Sequence, residues 1–310
     1  MNSTESLDGR GLTSTWRSLT SALRAGYGSF DRFERHEQAC LLTLPLLLLY
    51  IDEYWYVNVP VVGLALAGII FPNVRISPLY WFTLTCFAGA AVYYNWLEVD
   101  NHKYLLVYWC LAIFCALSHP KAADCLAISA RYLIALTFSL AAFWKLWSPD
   151  FLNGNFFHFE FLFDSRFEGK LKALGLADPK MLELNEIARR ALTNYDSSLS
   201  DVQLVLDASL QRAAVSVSWW ALVMEAAIAL AFLIPVRWRI SGIRHVLLLA
   251  FVISTYAIAP VIGFGWLLII MGFVQCDRSV KTTRLLYLLS LLVLQAFRLP
   301  WSAISDSLAR

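Results

Sequence analysis

Charged residues are scarce in this sequence: only 15% of its 310 positions are Asp, Glu, Lys or Arg. Average soluble domains contain about 25%. Hydrophobic residues make up 59% of the chain, and several apolar runs approach the roughly 20 residues that cross the hydrocarbon core of a bilayer. A soluble domain would have no interior large enough to bury so much apolar surface. The composition therefore predicts an integral membrane protein, whose surroundings are the lipid bilayer.

The sequence also lacks the short motifs of the common enzyme classes. It has no GxSxG elbow, Walker loop or HExxH pair at a usable location, which argues against conventional hydrolase, kinase and metalloprotease chemistry. The basic residues are scattered over short connections, so nucleic-acid binding has no support. The six cysteines include no CxxC pair, so we expect buried thiols rather than a metal site or a disulfide framework.

Apolar runs and turn residues divide the chain into nine helical segments, which predicts an all-α, polytopic membrane bundle over residues 38–300. The segment 243–275 has two interpretations. Pro260 and the run Gly263–Phe264–Gly265 fit either a tight turn between two spans or a broken helix, so eight or nine spans are expected. The predicted segments are 38–52, 57–72, 79–97, 103–118, 125–147, 215–235, 243–259, 261–275 and 284–300.

The basic residues predict the orientation of this bundle. Residues 1–37 form a polar arm with five arginines, and alternate connections are basic while the others are acidic or mixed. Lys and Arg favour the cytoplasmic side, so we expect the arm inside and the tail 301–310 outside. The arm lacks the pattern of a cleaved signal. Within it, Leu12–Phe33 fits either an amphipathic helix on the membrane surface or a disordered tail.

The long connection 148–214 is expected to form helices over the outer mouth of the bundle. Asp178 and Pro179 predict a helix start, and apolar residues follow at helical spacing. A second amphipathic stretch is predicted over 199–212. The apolar residues of the first helix are Met181, Leu184, Ile187, Ala188 and Leu192.

Two ionisable residues stand out within the predicted spans. Lys145 is about one turn from the outer end of the fifth segment, and Glu225 is near the middle of the sixth. Placing an ionisable side chain within the membrane costs about 3 kcal/mol, so each such residue is expected to have a structural or functional role. Lys145 either snorkels to the interface or is a desolvated amine that acts as a base. Glu225 is either a structural partner or part of a functional cavity.

Two histidines are further candidates for the site. His102 lies where the fourth segment begins, on the same face as Lys145. It fits either a local hydrogen-bonding group or a catalytic partner of Lys145. His245 begins the seventh segment at the inner side, beside Arg244. Its distance from the outer group favours a structural role, with a catalytic role as the weaker alternative.

Two short segments resemble signatures of the HTTM (vitamin K-dependent gamma-carboxylase-like) family. Residues 101–105 read Asn-His-Lys-Tyr-Leu, similar to an NHxYL motif, and residues 141–154 are similar to AGxxKLxxDWLxG, with Phe151 in place of the tryptophan. The later order of Glu225, a basic loop and His245 also resembles the family. The likeness covers about residues 35–275, and this chain resembles a short bacterial-type member without the large lumenal C-terminal region.

The resemblance implies a chemistry. In the carboxylase the motif lysine is the base that begins oxygenation of a vitamin K hydroquinone, and the motif histidine supports the glutamate chemistry. Lys145 and His102 occupy those two positions. The resemblance therefore implies a quinone-like lipid as cofactor or substrate, a secreted peptide or protein as partner, and the inner membrane of a bacterium as location.

Three functions are compatible with the sequence. The first is a membrane enzyme, carboxylase-like or an oxidoreductase, with Lys145 as base at the outer face. The second is a non-catalytic partner in the maturation or export of another protein. The third, a transporter, rests on Glu225 and the glycines at 263–265 and has no inverted repeat to support it.

Overall fold

The computed structural model is all-helical wherever it describes the chain, with thirteen α-helices, one 3-10 helix and no strand in that part. It describes residues 21, 26, 28–49, 54–94, 96–97, 99–164, 167, 171, 175–176, 178–193, 208–258 and 261–296. The 3-10 helix is Arg239–Gly242. The α-helices are α1 (Arg35–Leu49), α2 (Trp55–Ile70), α3 (Pro72–Arg75), α4 (Pro78–Tyr94), α5 (Asn101–Leu117), α6 (Ala122–Trp147), α7 (Pro149–Leu152), α8 (Asn155–Phe163), α9 (Pro179–Thr193), α10 (Ala208–Leu233), α11 (Ile243–Ile258), α12 (Ile262–Val274) and α13 (Lys281–Ala296).

The predicted all-α class is confirmed, and each of the nine predicted segments contains one long helix. Within the described residues, two helices, α6 and α10, are long and apolar enough to cross a membrane, with 26 residues each. The other seven helices in the predicted spans have 13 to 17 residues, below the roughly 20 that a straight span needs. The arm up to residue 20 and the tail 301–310 lie outside the described residues.

One end of the bundle is held by arginines. Arg35, at the start of α1, pairs with Asp124 at 3.0 Å and with Asp277 at 2.8 Å. Arg278 donates to the carbonyl oxygen of Phe33 at 2.9 Å. These contacts join three connections that the charge pattern predicts on one side. We call this the arginine end.

The opposite end carries aromatic contacts and a helical cap. The rings of Tyr54 and Tyr94 lie 6.2 Å apart, which joins the start of α2 to the end of α4. The cap consists of α7, α8, α9 and the first turns of α10, around a small apolar core of its own. We call this the cap end. The core of the cap contains Phe161, Leu162, Phe167, Leu171, Met181, Leu182, Leu210 and Ala214.

The helix α12 lies at the centre of the bundle. It is apolar on every side and buried almost throughout, as expected of a helix surrounded by other helices. It packs against α1, α6, α11 and α13. The indole of Trp266 donates to the carbonyl oxygen of Leu42 at 3.0 Å, so its polar atom is satisfied within the packed interface.

The two helices α11 and α12 run antiparallel, which favours the turn over the broken helix in 243–275. Tyr256 lies against Gly265 towards the cap end, and His245 lies 3.8 Å from Cys276 at the arginine end. The break falls before Ile262, so the glycines at 263 and 265 are in the first turn of α12 and not in the connection. Gly265 is needed for close approach of the Tyr256 ring.

The amphipathic face predicted for α9 is wrong in part. The helix forms over Pro179–Thr193, but Leu184 and Ile187 are 46% and 56% exposed. Its buried residues are Met181, Leu182, Asn185 and Ala188, since the cap core lies on that side only. The predicted stretch 199–212 lies outside the described residues up to 207. From Ala208 it continues directly into α10, which therefore begins seven residues before the predicted 215.

Two glycine-to-alanine variants distinguish the effect of close packing from the effect of helix propensity on stability. A Cβ at Gly265 would lie 2.5 Å from the Tyr256 ring, whereas one at Gly63 would meet nothing within 4 Å. We expect Gly265→Ala to destabilise the fold by about 1–3 kcal/mol through overpacking. Gly63→Ala should be neutral or stabilise by up to about 1 kcal/mol. Thermal unfolding of both variants in detergent measures this, and equal shifts would contradict the packing described for α11 and α12.

Candidate functional site

The ammonium of Lys145 and the carboxylate of Glu225 form a hydrogen-bonded ion pair between α6 and α10. The two helices pack side by side, and Ala142 belongs to the same cluster as Ala221 and Leu222. The side chain of Glu225 is 9% exposed and that of Lys145 is 24% exposed. The structure therefore brings together two candidates that lie 80 residues apart in the sequence.

The Lys145 side chain runs into the bundle. Helical side chains lean towards the N-terminus of their helix, and α6 begins at the arginine end. Glu225 lies one turn further in that direction than Ala221 and Leu222. The ammonium consequently meets a carboxylate inside the helix interface, whereas a snorkelling lysine would extend towards the cap end.

The pair lies against an aromatic ring and unused polar atoms. The Lys145 ammonium is 5.0 Å from the centre of the Phe151 ring, a cation–π contact. The second carboxylate oxygen of Glu225, Oε2, is buried without a hydrogen-bond partner, and so is Oγ of Ser218. Ser218 lies two turns before Glu225 on the same face of α10. These orphaned atoms give the site hydrogen-bonding capacity that the protein itself does not use.

Residues 148–154 hold Phe151 in this position. Ser148 accepts a hydrogen bond from the backbone of Phe151 at 3.3 Å, which starts α7. Gly154 then adopts φ +78°, and a Cβ there would lie 2.7 Å from the backbone nitrogen of Val215. Only glycine tolerates both conditions. The turn between α7 and α8 therefore lies directly on α10, at Val215.

His158 is a further buried polar group in the cap. It is 8% exposed, and its Nε2 has no hydrogen-bond partner. Burial lowers the pKa of His158 below its ordinary value, and a hydrogen bond with the Gln211 side chain opposes part of that effect. Gln211 also donates to the carbonyl oxygen of Asn153 at 3.0 Å. The neutral imidazole therefore joins α8 to the first turns of α10.

His102 lies at the cap end, in the first turn of α5. Its Nε2 is 3.8 Å from Asp100 Oδ2, and the ion-pair partner of Lys145 is Glu225. An open groove of about 760 Å³ lies beside the same connection, and Tyr104 donates to the carbonyl oxygen of Trp96 at 3.0 Å. Lys145 does not line this groove. Its lining residues are Gly89, Val92, Tyr93, Tyr94, Trp96 and Tyr104.

His245 lies at the arginine end, away from Lys145. Its Nδ1 is 3.0 Å from the hydroxyl of Tyr287 and 3.8 Å from Cys276 Sγ. Burial raises the pKa of the Cys276 thiol to about 12, so this cysteine is a neutral packing group. The contacts join α11, α13 and the connection after α12, in keeping with the structural role favoured for His245.

Sequence reasoning missed several residues with buried, unpartnered polar atoms, among them Ser218, His158 and Arg131. Arg131 lies within the predicted span 125–147, and the rule that singled out Glu225 applies equally to it. Ser218 precedes Glu225 by seven residues, a spacing that places both on one face of a helix. His158 lies in an aromatic stretch, where its burial depends on the fold of the cap.

Comparisons of the chain with protein-family models, curated proteins and solved structures give no match. The HTTM resemblance therefore rests on the two short segments and on the order of the later residues.

The Lys145–Glu225 ion pair can be tested by a double-mutant cycle that measures the free energy of unfolding. Lys145→Met or Glu225→Gln alone should lower the free energy of unfolding by up to about 3 kcal/mol, because each leaves a buried charge without its partner. The double variant should lose about 0.5–3 kcal/mol less than the sum of the singles. Chemical unfolding in detergent measures all three, with Lys180→Met on the exposed face of α9 as control. Additive losses would show that the two side chains do not interact.

The burial of His158 predicts that the stability of the fold depends on pH. Its pKa in the folded protein lies below 6.5, so the unfolded chain binds more protons between the two pKa values. The contribution of neutral His158 is complete above pH 6.5 and is lost as the pH falls towards the folded value. His158→Phe should flatten the fall in melting temperature as the pH drops below about 6.5. His119→Gln, at an exposed site, should retain the wild-type profile, and an equal flattening there would contradict the assignment.

Proposed function

We propose that this chain is a polytopic protein of a bacterial inner membrane whose Lys145–Glu225 pair is an acid–base centre near the outer face. Its substrate class is a quinone-like lipid or a secreted peptide that carries an acidic proton. The observation that carries the proposal is the pairing of a buried carboxylate with a lysine at the cap end, beside unused hydrogen-bonding atoms.

The surface of the bundle supports a location in lipid. On α6, α11 and α13 the outward residues are large and apolar, for example Leu136 at 56%, Ile253 at 60% and Leu292 at 65% exposure. Soluble monomers rarely expose contiguous apolar surface on this scale. Several charged residues are buried inside instead, among them Arg284 and Glu225. Apolar outside and polar inside is the arrangement that a bilayer favours.

The helices shorter than a full span fit the same proposal. Tilt, local thinning of the bilayer or flanking polar anchors accommodate a short hydrophobic stretch at a modest cost. With nine crossings, the basic arginine end faces the cytoplasm and the cap faces outwards. Lys145 and Glu225 then lie below the outer headgroup region, under α7 and α8.

The pair can exchange a proton without leaving the site. Transfer from Nζ of Lys145 to Oε1 of Glu225 turns two opposite charges into a neutral amine and a carboxylic acid. A low dielectric brings the charged and neutral forms closer in free energy. The amine then accepts the proton of a substrate hydroxyl, and the resulting ammonium holds the substrate oxyanion. Glu225 returns its proton to solvent through the cap end.

The surroundings fit the head of a quinone-like lipid. The Phe151 ring lies over the Lys145 ammonium, and Phe157 and Trp220 pack on the same apolar cluster, while Glu225 Oε2 and Ser218 Oγ remain available as hydrogen-bond partners. These residues would hold a planar ring by stacking and its oxygens by hydrogen bonds. Such a ligand would supply the acidic hydroxyl.

Three variants test the proposal in the purified full-length protein. Lipids that co-purify are identified by mass spectrometry, and oxygen-dependent consumption of a reduced quinone is followed in liposomes. Lys145→Ala should lower the rate by about a hundredfold or more, the size of a general-base effect. Lys145→Arg should keep the ion pair and the fold but remain inactive, because guanidinium is not deprotonated in proteins.

Lys180→Ala is the matched control, since Lys180 is an exposed lysine of the same cap. It should retain full activity. If Lys145→Arg consumed the bound quinone at the wild-type rate, Lys145 could not be the general base, and the proposal would be contradicted.

A non-catalytic maturation or export partner is the second candidate. It is favoured by the aromatic groove at Tyr93 and Tyr104, which lies apart from Lys145 and exposes several rings. In that case Lys145→Arg supports the function of the partner as well as wild type does, and reduced quinones are not consumed.

A further inference from the structure

Among the described residues, basic side chains outnumber carboxylates at the arginine end, and several of those carboxylates are already paired with arginines. Asp124 and Asp277 pair with Arg35. Asp31 pairs with Arg284, which also donates to the Gln38 side chain at 2.8 Å. The remaining basic groups at this end must find another counter-charge or remain exposed to water.

Arg244 has no carboxylate partner among the described residues, although it is only 6% exposed. Its Nε lies 3.4 Å from His245 Nε2, and its NH1 is buried without a hydrogen-bond partner. The groups that face it from the other helices are Cys276, Tyr287 and Arg131. A buried guanidinium with an unused donor is costly unless an anion satisfies it.

Arg131 brings a second uncompensated cation to the same place. It lies on α6 and interacts repulsively with Arg244. Its guanidinium carbon is 4.9 Å from the centre of the Tyr132 ring, and its Nε is buried without a partner. The side chain leans towards the start of α6 and hence towards the arginine end. The rings of Phe138 on α6 and Phe251 on α11 lie 5.0 Å apart, and both helices begin at the arginine end. Arg131 and Arg244 each precede these rings by seven residues, or two turns, so the two arginines lie at the same level of neighbouring helices, each with an unused donor.

We propose that Arg131 and Arg244 form a phosphate-binding site at the arginine end. A phosphate group carries the negative charge that relieves their repulsion, and its oxygens accept from both orphaned donors in the charge-assisted geometry that arginine favours. Basic pockets between membrane helices on the cytoplasmic side bind the head groups of anionic lipids. The lipid source rests on the proposed membrane location, whereas free phosphate as the source does not.

Phosphate-dependent stabilisation tests the site. The melting temperature of the full-length protein is measured in neutral detergent with increasing phosphatidylglycerol, with phosphatidylcholine, and with inorganic phosphate at constant ionic strength. Wild type should be stabilised by phosphatidylglycerol in a saturable manner and not by phosphatidylcholine. Arg131→Gln and Arg244→Gln should each weaken the apparent affinity about tenfold or more, as expected for a lost charge-assisted hydrogen bond.

The matched control is Arg237→Gln, at an exposed arginine of the same end. It should leave the saturable response unchanged. Without anionic lipid, Arg244→Gln should melt at or above the wild-type temperature, because it removes an uncompensated buried charge; this keeps the test valid if binding is lost.

Comparing the titrations with phosphatidylglycerol and with inorganic phosphate distinguishes a lipid head group from free phosphate as the ligand. Saturation by inorganic phosphate alone supports the site with soluble phosphate as ligand, and saturation only by phosphatidylglycerol supports a lipid head group. Equal responses of wild type, both variants and Arg237→Gln, or no response to either phosphate source, would overturn the proposal. Quinone consumption does not enter this test, so failure of the Lys145 proposal leaves it unaffected.

Discussion

Pairing of charges between apolar helices is the constraint on which the rest of this structure depends. A charge in a low-dielectric helix interface is tolerated when an opposite charge or hydrogen-bond partners accompany it. Glu225 pairs with Lys145, which joins α10 to α6. Arg284 pairs with Asp31, which joins α13 to the segment before α1. Arg131 and Arg244 depart from the rule, and that departure is the basis of the proposed phosphate site.

The positions of the helices could be predicted from the sequence, because apolar runs and turn residues report on local structure. The two ends of the bundle were predicted as well: Arg35, Asp124 and Arg278 come from separate connections and meet at one end. The face of α9 could not be predicted, since Leu184 and Ile187 would be buried only if another layer covered them. Its cover is the short α8 and the first turns of α10, which reach one side.

The residues of the candidate site could be predicted from the sequence, but the contacts between them could not. Lys145 and Glu225 were identified separately, and their contact depends on the register of α6 against α10, which single-sequence periodicity does not contain. The placement of Phe151 required two further local facts, the Ser148 hydrogen bond and the positive φ of Gly154. The segment 141–154 therefore forms one unit that carries the lysine, the ring over it and the turn that seats the cap on α10.

In the proposed orientation, the Lys145–Glu225 pair lies beneath an outward-facing cap and the arginines lie on the cytoplasmic side of the membrane. Labelling of single introduced cysteines in intact bacterial cells with a membrane-impermeant maleimide tests it most directly, with the unsubstituted chain as background. Lys180→Cys, in the cap, should be labelled in intact cells, and Lys121→Cys, at the arginine end, only after the membrane is permeabilised. Equal labelling of both positions in intact cells, or the reverse order, would contradict the account.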